Sequence, residues 1–405
     1  MNEKSYKFLS DMVYKLDPKH NDYDPTLKQG GIVKIEGIKY KILKVEDNST
    51  NGMQAMAVAP IKNGKADTSE IVIAYAGTNS SDKLDLLTDT NSVIGGNKSI
   101  DVSKSWQSPD RIDGQPVSAQ EFANSIKNKY PNASISTTGH SLGEFLALYI
   151  AAENGWMNVG FNGPDPYNLL SQEARDWIKK NPGMLFNYRN KADLIGNFGG
   201  NKTGAEILVD MGMGRNPKNT GDFHSLDSWK FDKKGRLIIS DTPENKEARQ
   251  IHAEKMMYAK ILGLSFLAMK LKASGGGLSG NEAIFLDDSE ALIAVESASE
   301  SMKIGLESLI KIYQKAITEA EELWAEGLNK AQAIGTELDY YEVLDALAEG
   351  GSTKASIVDE PTDYYAKKIA DAKKIGESFD KIVTKIRESI DSLIKSDKEL
   401  ASQME

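Results

Sequence analysis

Ser141 is the central residue of the pentapeptide GHSLG, residues 139–143, which has the form G-x-S-x-G. A nucleophile elbow needs a strand, a turn tight enough to force the serine into positive φ, and a helix that begins directly behind it. The surrounding stretch, residues 134–146, reads SISTTGHSLGEFL, and the helix-forming ALYIAAE continues it. A β-type segment, two flanking glycines and a following helix therefore predict that Ser141 is a nucleophile.

A serine hydroxyl needs a base to take its proton. In the chain order typical of α/β-hydrolases the histidine follows the serine, so His20 and His140 are excluded as the base. His224 lies in the polar, turn-like NTGDFHSLDSW, whereas His252 lies in the helical run EARQIHAEKMMYAKIL. A base carried by a loop is expected, and the sequence favours His224.

The acid that orients this base has three candidates downstream of the elbow. Asp165 in GFNGPDP and Asp193 in NYRNKADLIG each follow a predicted strand, and Asp210 is a weaker third choice. Spacing gives Asp193 only a modest lead and leaves the choice open.

Acyl transfer also needs two donors for the oxyanion. The amide of Leu142, directly after the nucleophile, supplies the first. The strand IVIAY ends in Ala76-Gly77-Thr78, and Thr78 is the natural source of the second, although a turn-stabilising threonine is an equal alternative. The chain has no cysteine and four histidines, so we expect neither a metal site nor a cofactor.

The elements around these residues alternate between strands and helices. Predicted strands are GIVKIEGIKYKILKV broken at Gly37, QAMAVAPI, IVIAYAG, SISTTG, WMNVGFN, GMLFNYRN and GRLIIS; EFANSIKNKY and EFLALYIAAEN are predicted helices. This alternation predicts an α/β sheet with helices on its faces.

From about Pro243 the strand pattern stops and long helical periods follow. Residues 287–329 and 364–402 each carry a one-sided apolar stripe, and 256–271 reads as a buried helix. Glycine and serine clusters at 273–281 and 349–363 indicate loops or linkers. We therefore predict two domains: an α/β domain at 1–242 and an all-α domain at 243–405, with a linker at 273–281.

Charge is spread unevenly along the chain, and the acidity belongs to its C-terminal part. Residues 281–405 carry 14 Lys and Arg against 27 Asp and Glu, a net −13, while the remaining 35 and 32 leave +3. No basic face is concentrated anywhere, which argues against nucleic acid as a partner. The N-terminus lacks the apolar core of a secretory signal, so we expect no cleavable leader.

Several motifs in one order resemble class 3 lipases: IAYAGTNSSDKLDLLTD, TTGHSLGEFLAL, FNGPDPYN, YRNKADLIGNFGG and HSLDSW, within residues 55–235. The resemblance implies an α/β-hydrolase fold, a triad of Ser141, Asp193 and His224, and an oxyanion hole at Thr78 and Leu142. It also implies that residues 82–110, with Gly95-Gly96 as a hinge, form a lid over the site.

Three positions depart from that family. Ala76 replaces an arginine, Glu144 replaces a glycine, and Ile195-Gly196 stands where Val-Pro is common. No reacting group is lost, but Glu144 brings a carboxyl close to a site that must stabilise an oxyanion.

The whole arrangement is similar to lipase toxins exported by the type VII secretion system of Gram-positive bacteria, with an LXG-like helical domain at the C-terminus. The resemblance implies small helical export partners, secretion without a cleavable signal, and an immunity protein as a further partner. A Y-x-x-x-D/E export signature occurs at Tyr341–Asp345 and again at Tyr149–Glu153.

The sequence thus predicts a serine carboxylester hydrolase acting on lipid acyl esters, a phospholipase A-type antibacterial toxin. Two other readings stay open. One is a housekeeping esterase or triacylglycerol lipase with a dimerising helical tail. The other is a helical binding module for which the hydrolase is a carrier.

Overall fold

A computed structural model describes residues 1–77, 99–103, 109–212, 220–275 and 280–404. The chain divides into two compact units, Met1–Ser240 and Asp241–Glu405. The predicted boundary, between 242 and 243, lies two residues from the observed one. Each unit is described by itself below.

The first unit is built on one mixed sheet, with strand order β1-β2-β3-β5-β8-β9-β10-β11 and β4 paired to β3. Strands β1, β2, β3 and β5 pair antiparallel, and β5, β8, β9, β10 and β11 pair parallel. Separately, β6 and β7 form an antiparallel hairpin. The strands are β1 Ile32–Ile35, β2 Ile38–Asn48, β3 Met53–Lys62, β4 Lys65–Ala66, β5 Glu70–Tyr75, β6 Ser99–Ser103, β7 Pro109–Asp113, β8 Ser134–Gly139, β9 Met157–Phe161, β10 Leu185–Asn190 and β11 Glu206–Val209.

Helices cover both faces of this sheet. Thr138 Oγ1 on β8 lies 2.8 Å from Ser10 Oγ on α1, whereas the adjacent Thr137 donates to the Ala147 carbonyl on α3 at 2.8 Å. Successive side chains of a strand point to opposite faces, so α1 and α3 lie on opposite sides. The helices of this unit are α1 Glu3–Met12, α2 Gln115–Lys129, α3 Leu142–Asn154, α4 Gln172–Lys180 and α5 Thr220–His224.

Helix α3 is enclosed almost completely: every residue from Leu142 to Ala152 is buried. A helix that is apolar all round is packed on all sides, and this packing fixes the position of its first turn. A mixed sheet with helices on both faces and a buried helix directly behind the β8 turn confirms the predicted α/β-hydrolase class.

The second unit is helical, as predicted. It comprises α6 Lys246–Gly275, α7 Gly280–Ile334, α8 Tyr340–Glu349, a π-helical turn Ala355–Asp359, and α9 Glu360–Met404. Helix α7 packs against both α6 and α9. The rings of Tyr313 and Tyr365 stack at 5.6 Å across the α7–α9 contact. Among the described residues, no helix combines the length and apolar character that a membrane crossing requires.

Three local predictions differ from the structure. The linker predicted at 273–281 is helical through Gly275 and again from Gly280. The loop predicted at 349–363 is helical from Ala355, and just before it Thr353 Oγ1 accepts from the Ser356 amide at 3.1 Å. The predicted strand GRLIIS has only one bridge, between Phe231 and Leu237.

Candidate active site

Ser141 stands on a strained turn between β8 and α3. Its φ is 59° and its ψ is −129°, a backbone conformation that side chains larger than hydrogen rarely adopt. Gly139 and Gly143 allow the close approach, since a Cβ on Gly139 would lie 2.2 Å from the Gly143 carbonyl group. A Cβ on Gly143 would lie 2.2 Å from the Tyr75 carbonyl oxygen on β5. The residue types at these three positions thus make the turn possible and lift the Ser141 side chain out of the sheet.

Ser141, His224 and Asp193 form a continuous hydrogen-bonded chain. His224 Nδ1 lies 2.8 Å from Asp193 Oδ2, and His224 Nε2 lies 2.8 Å from Ser141 Oγ. A carboxylate only accepts, so Nδ1 carries the proton and Nε2 is left to accept from the serine hydroxyl. Asp193 is 1% exposed and the His224 side chain 15% exposed, so the carboxylate is enclosed while the imidazole is accessible.

Backbone amides hold the Asp193 carboxylate in place. The Ile195 amide donates to Oδ1 at 2.9 Å, and the Gly196 amide donates to Oδ2 at 3.1 Å. These residues are the ones that depart from Val-Pro in the lipase pattern. Gly196 has an N–H that proline lacks, and that N–H adds a donor to the buried carboxylate.

The amide of Leu142 is positioned for an oxyanion beside Ser141. Leu142 is the first residue of α3, so its N–H has no partner within the helix. The Ser141 amide is engaged, because it donates to the Phe161 carbonyl at 3.2 Å. The helix dipole adds positive potential at the same end. Thr78, the second predicted donor, lies outside the described residues.

The other predicted acids and bases have different partners. Asp165 Oδ2 accepts from the amide and hydroxyl of Thr203, at 2.9 and 2.8 Å. Asp210 accepts from the Gly212 amide and from Lys191, and these bonds lower the pKa of its carboxyl. His20 Nδ1 accepts from the Asp22 amide, and His252 lies on α6 of the second unit.

Glu144 does not face the nucleophile. Its side chain is 0% exposed and packs against the Cα atoms of Gly160 and Gly163, where a Cβ would collide with it. Oε1 accepts from Asn158 Nδ2 at 2.6 Å, and within the described residues Oε2 has no partner. Burial raises the pKa of Glu144 well above 4.5 and so favours the neutral form of this carboxyl.

Three more residues support the hydrogen-bonded chain of Ser141, His224 and Asp193. Asn162 and Tyr14 were not singled out by the sequence analysis, and His140 was excluded by it as a base. Asn162 Nδ2 donates to the His224 carbonyl at 2.9 Å, and Tyr14 Oη lies 2.9 Å from His140 Nδ1. His140 Nε2 in turn lies 2.7 Å from the His224 carbonyl oxygen. Tyr14 is 126 residues from His140 along the chain, and no local pattern marks it.

Most of the predicted lid lies outside the described residues. Of residues 82–110, the structure describes only 99–103 and 109–110, which belong to β6 and β7. No group of three or more His, Asp or Glu side chains suited to a metal ion occurs in the described ranges.

The chain matches no family model, and no curated protein is significantly similar to it. Two solved structures are similar to part of it. A mutant form of MDLA from Penicillium cyclopium covers 58% of this chain and 82% of its own, at 10% identity and a TM-score of 0.30. Lipase II from Rhizopus niveus covers 50% of this chain and 74% of its own, at 14% identity and a TM-score of 0.28. Both TM-scores are too low to bear on fold or function.

Proposed function

We propose that the chain is a serine carboxylester hydrolase that acts on lipid acyl esters. The observation that carries this proposal is the pair of 2.8 Å contacts from Ser141 Oγ to His224 Nε2 and from His224 Nδ1 to Asp193. A serine in a strained turn, a base within hydrogen-bonding distance and a buried carboxylate behind the base are the parts that acyl transfer requires.

The reaction proceeds in two halves. In the first, Ser141 Oγ attacks the acyl carbonyl while His224 Nε2 takes its proton, and the protonated imidazole then gives that proton to the departing alcohol. In the second, His224 takes a proton from water as the water attacks the acyl-enzyme; the acyl–Oγ bond then breaks, the imidazolium returns the proton to Ser141 Oγ, and the fatty acid is released. Asp193 holds Nδ1–H throughout and stabilises the imidazolium. The Leu142 amide, and Thr78 as the resemblance implies, stabilise the oxyanion.

A lipid substrate is favoured by the loop that carries the acid. Leu194 is 72% exposed, Ile195 54% and Phe198 47%, all within five residues of Asp193. Large apolar side chains grouped on an exposed loop are typical of a surface that contacts lipid or protein. Beside an acyl-transfer site, lipid is the partner that explains them.

We further propose that the protein is a phospholipase A-type antibacterial toxin, exported by a type VII secretion system without a cleavable signal. In this proposal the acidic helical unit binds small helical export partners, and a separate immunity protein neutralises the enzyme. Support comes from exposed apolar residues at one side of α9: Tyr364, Ile375, Ile382, Ile386 and Leu393. Tyr341, in one copy of the export signature, is 74% exposed, whereas Tyr149 is buried in α3.

The exposed side of α9 also supports a second candidate, an esterase whose helical tail forms a homodimer. Apolar residues on a helix face are equally suited to a second copy of the same helix. Measurement of the molar mass of the purified chain in solution separates the two, since a stable dimer without any partner favours the esterase.

The main test compares wild type with Ser141→Ala on vesicles of defined phospholipid and of triglyceride. We expect wild type to release fatty acid and lysolipid from phospholipid, and Ser141→Ala to release neither while keeping its circular dichroism spectrum. Hydrolysis by the purified Ser141→Ala protein would refute the assignment. Release from triglyceride alone would replace phospholipase with lipase.

A further inference from the structure

The imidazole of His140 is buried next to the nucleophile, and the acyl-transfer steps give it no role. Its Nε2 lies 2.7 Å from the backbone carbonyl oxygen of His224, and its Nδ1 lies 2.9 Å from the hydroxyl of Tyr14. Tyr14 comes from the helical turn Val13–Leu16, and His140 from the elbow. The imidazole therefore links the N-terminal segment to the backbone of the proposed base.

With the His224 carbonyl on one side and the Tyr14 hydroxyl on the other, one neutral tautomer of His140 gives both ring nitrogens a hydrogen-bond partner. A carbonyl only accepts, so Nε2 must carry the proton and donate to His224. Nδ1 then has a lone pair and accepts from the Tyr14 hydroxyl. The Tyr14 hydroxyl is also 3.2 Å from the His140 carbonyl. A Cβ on Gly77 would lie 2.1 Å from Tyr14 Oη, so the hydroxyl occupies space that only glycine leaves open.

The His224 carbonyl needs these donors because of where it stands. His224 is the last residue of α5, and the final carbonyls of a helix have no partner within it. His140 Nε2 and Asn162 Nδ2 both donate to that oxygen, at 2.7 and 2.9 Å. Asn162 is fixed in turn, since its Oδ1 accepts from the Asn190 amide at 3.0 Å. Two buried donors from different elements thus fix the backbone that carries the imidazole.

We propose that His140, with its tautomer set by Tyr14, is a positioning residue that holds His224 at hydrogen-bonding distance from Ser141. The proposal rests on the proposed acyl-transfer function. In it His140 touches no reacting atom and acts only through the His224 backbone. A displacement of the base by about 1 Å is enough to cost on the order of a hundredfold in rate.

The charge state of His140 fits this role. Burial, the nearby His224 and Lys7 lower its pKa to about 3, despite the carbonyl of His224, which raises it. Its ring centroid is 4.7 Å from that of His224, and within the described residues Tyr14 is the other titratable group in contact with it. His140 therefore remains neutral while His224 gains and loses a proton, and it does not oppose the imidazolium.

The test uses the full-length chain with three variants and one control. His140→Leu removes both ring nitrogens, His140→Gln restores an amide donor that can reach the His224 carbonyl, and Tyr14→Phe removes only the hydroxyl. Tyr6→Phe is the matched control, because Tyr6 donates from the same N-terminal region to Ser136 on β8. Readouts are kcat and KM on a water-soluble ester, the thermal midpoint, and the low-field proton resonance of the His224 Nδ1–H to Asp193 bond.

We expect His140→Leu to lower kcat by about tenfold or more with KM within about twofold, and to broaden or shift the resonance. His140→Gln should recover most of kcat, Tyr14→Phe should give an intermediate loss, and Tyr6→Phe should match wild type. A kcat within about twofold of wild type in His140→Leu, at an unchanged midpoint, would overturn the proposal. An equal loss of kcat in His140→Gln and His140→Leu would also overturn the proposal.

Two further outcomes are assigned in advance. If His140→Leu does not fold, Tyr14→Phe decides the question, and an unchanged resonance and kcat there would overturn the proposal. If wild type hydrolyses no ester, the proposed function fails. The resonance still shows whether His140 keeps His224 in position. An unchanged resonance in His140→Leu would then reject the positioning role separately.

Discussion

At the scale of single residues, Asp193 determines which nitrogen of His224 faces the serine. The carboxylate accepts from Nδ1 at 2.8 Å and is itself held by the amides of Ile195 and Gly196. With the carboxylate in place, only Nε2 can accept from Ser141. A side chain that can donate at this position would favour the opposite tautomer, in which Nε2 carries the proton and cannot act as a base.

Asp193→Asn is therefore expected to lower kcat on a soluble ester by about 10⁴-fold, because the imidazole presents the wrong nitrogen to the serine. Steady-state kinetics checks this, with crystal or NMR structure confirming that the loop is unchanged. Asp165→Asn is the matched control, since Asp165 bonds to Thr203 and not to the base. A comparable loss in Asp165→Asn, or a loss below about tenfold in Asp193→Asn, contradicts the assignment.

Glu144 permits a prediction about pH. Its folded pKa is raised above 4.5 by burial, partly offset by Asn158 and Arg189, whereas in the unfolded chain it titrates normally. Above pH 4.5 the unfolded state has lost this proton and the folded state keeps it. Stability therefore falls as pH rises, by about 1.4 kcal/mol for each pH unit until the folded pKa is reached.

Glu144→Gln removes this titration while keeping the shape and the bond from Asn158. We expect the free energy of unfolding of the variant, relative to wild type, to rise as the pH increases above 4.5, with kcat unchanged within a few fold. Urea unfolding at several pH values measures it. A constant difference at every pH would mean that the carboxyl is ionised in the folded protein.

The sequence predicts those residues of the candidate site that a local sequence pattern marks. Ser141 is marked by its glycines, His224 by elimination among four histidines, and the structure brings both to Asp193, for which spacing alone gave only a modest lead. Tyr14 and Asn162 could not be predicted, because their roles arise from contacts between distant parts of the chain. The direction of the Glu144 side chain is equally invisible in the sequence.

At the scale of elements, the β8–α3 turn depends on two glycines more than on the serine. Gly143→Ala would place a methyl group 2.2 Å from the Tyr75 carbonyl on β5, and backbone cannot give way cheaply there. We expect the loss of nearly all activity and a destabilisation of several kcal/mol, measured by kinetics and thermal unfolding. Gly263→Ala on α6, where a Cβ meets nothing, should instead stabilise by about 0.5–1 kcal/mol. Equal behaviour of the two variants would contradict the argument.

The loop that carries Asp193 gives an element-scale prediction about the substrate. Replacing Leu194 and Phe198 by serine removes exposed apolar surface without touching the amides that hold the carboxylate. Each lost contact with lipid is worth about 1–2 kcal/mol, so we expect at least a tenfold weaker activity on phospholipid vesicles and near-normal turnover of a soluble ester. Ile32→Ser, at the opposite edge of the sheet, should change neither. Equal activity of the double variant on vesicles would remove this loop from the lipid contact.

Elements themselves were predicted well where the hydrophobic period is long. The parallel strands β5, β8, β9 and β10 and the three long helices agree with the sequence patterns, whereas the parallel strand β11 was not predicted. The glycine cluster near Gly275 and the segment before Pro361 were predicted as loops, yet helix continues into both, because tertiary packing such as that of α7 against α6 and α9 outweighs the local propensity.

At the scale of the whole molecule, the proposed chemistry and the acidic helices lie in different parts of the chain. The first 280 residues are nearly neutral and hold the proposed chemistry, whereas the last 125 carry a net −13 on long helices. Buried residues of α9, such as Ala372, Val383 and Ile390, are on the side that packs within the unit. Ile382 and Ile386 lie beside that stripe and are 54% and 40% exposed, which is surface available to a partner.

This division predicts that hydrolysis and export can be separated by mutation. Ile382→Glu with Ile386→Glu should leave ester hydrolysis and the thermal midpoint of the purified chain unchanged, because neither residue packs in the core. In the producing bacterium the same variant should be retained inside the cell, while Lys373→Glu, an exposed change on another side of α9, should be exported normally. Immunoblots of cell and medium fractions measure the ratio of exported to retained protein for each variant.

The same variants also distinguish the enzyme from the helical-module reading. When the chain is directed to the outer face of a susceptible cell by an added leader, the Ile382→Glu/Ile386→Glu variant should still inhibit growth, and Ser141→Ala should not. Growth inhibition that survives Ser141→Ala and disappears with the α9 substitutions would show that the helices are the active agent. In the proposed mechanism, growth inhibition requires hydrolysis by Ser141, and partner binding through α9 serves export alone.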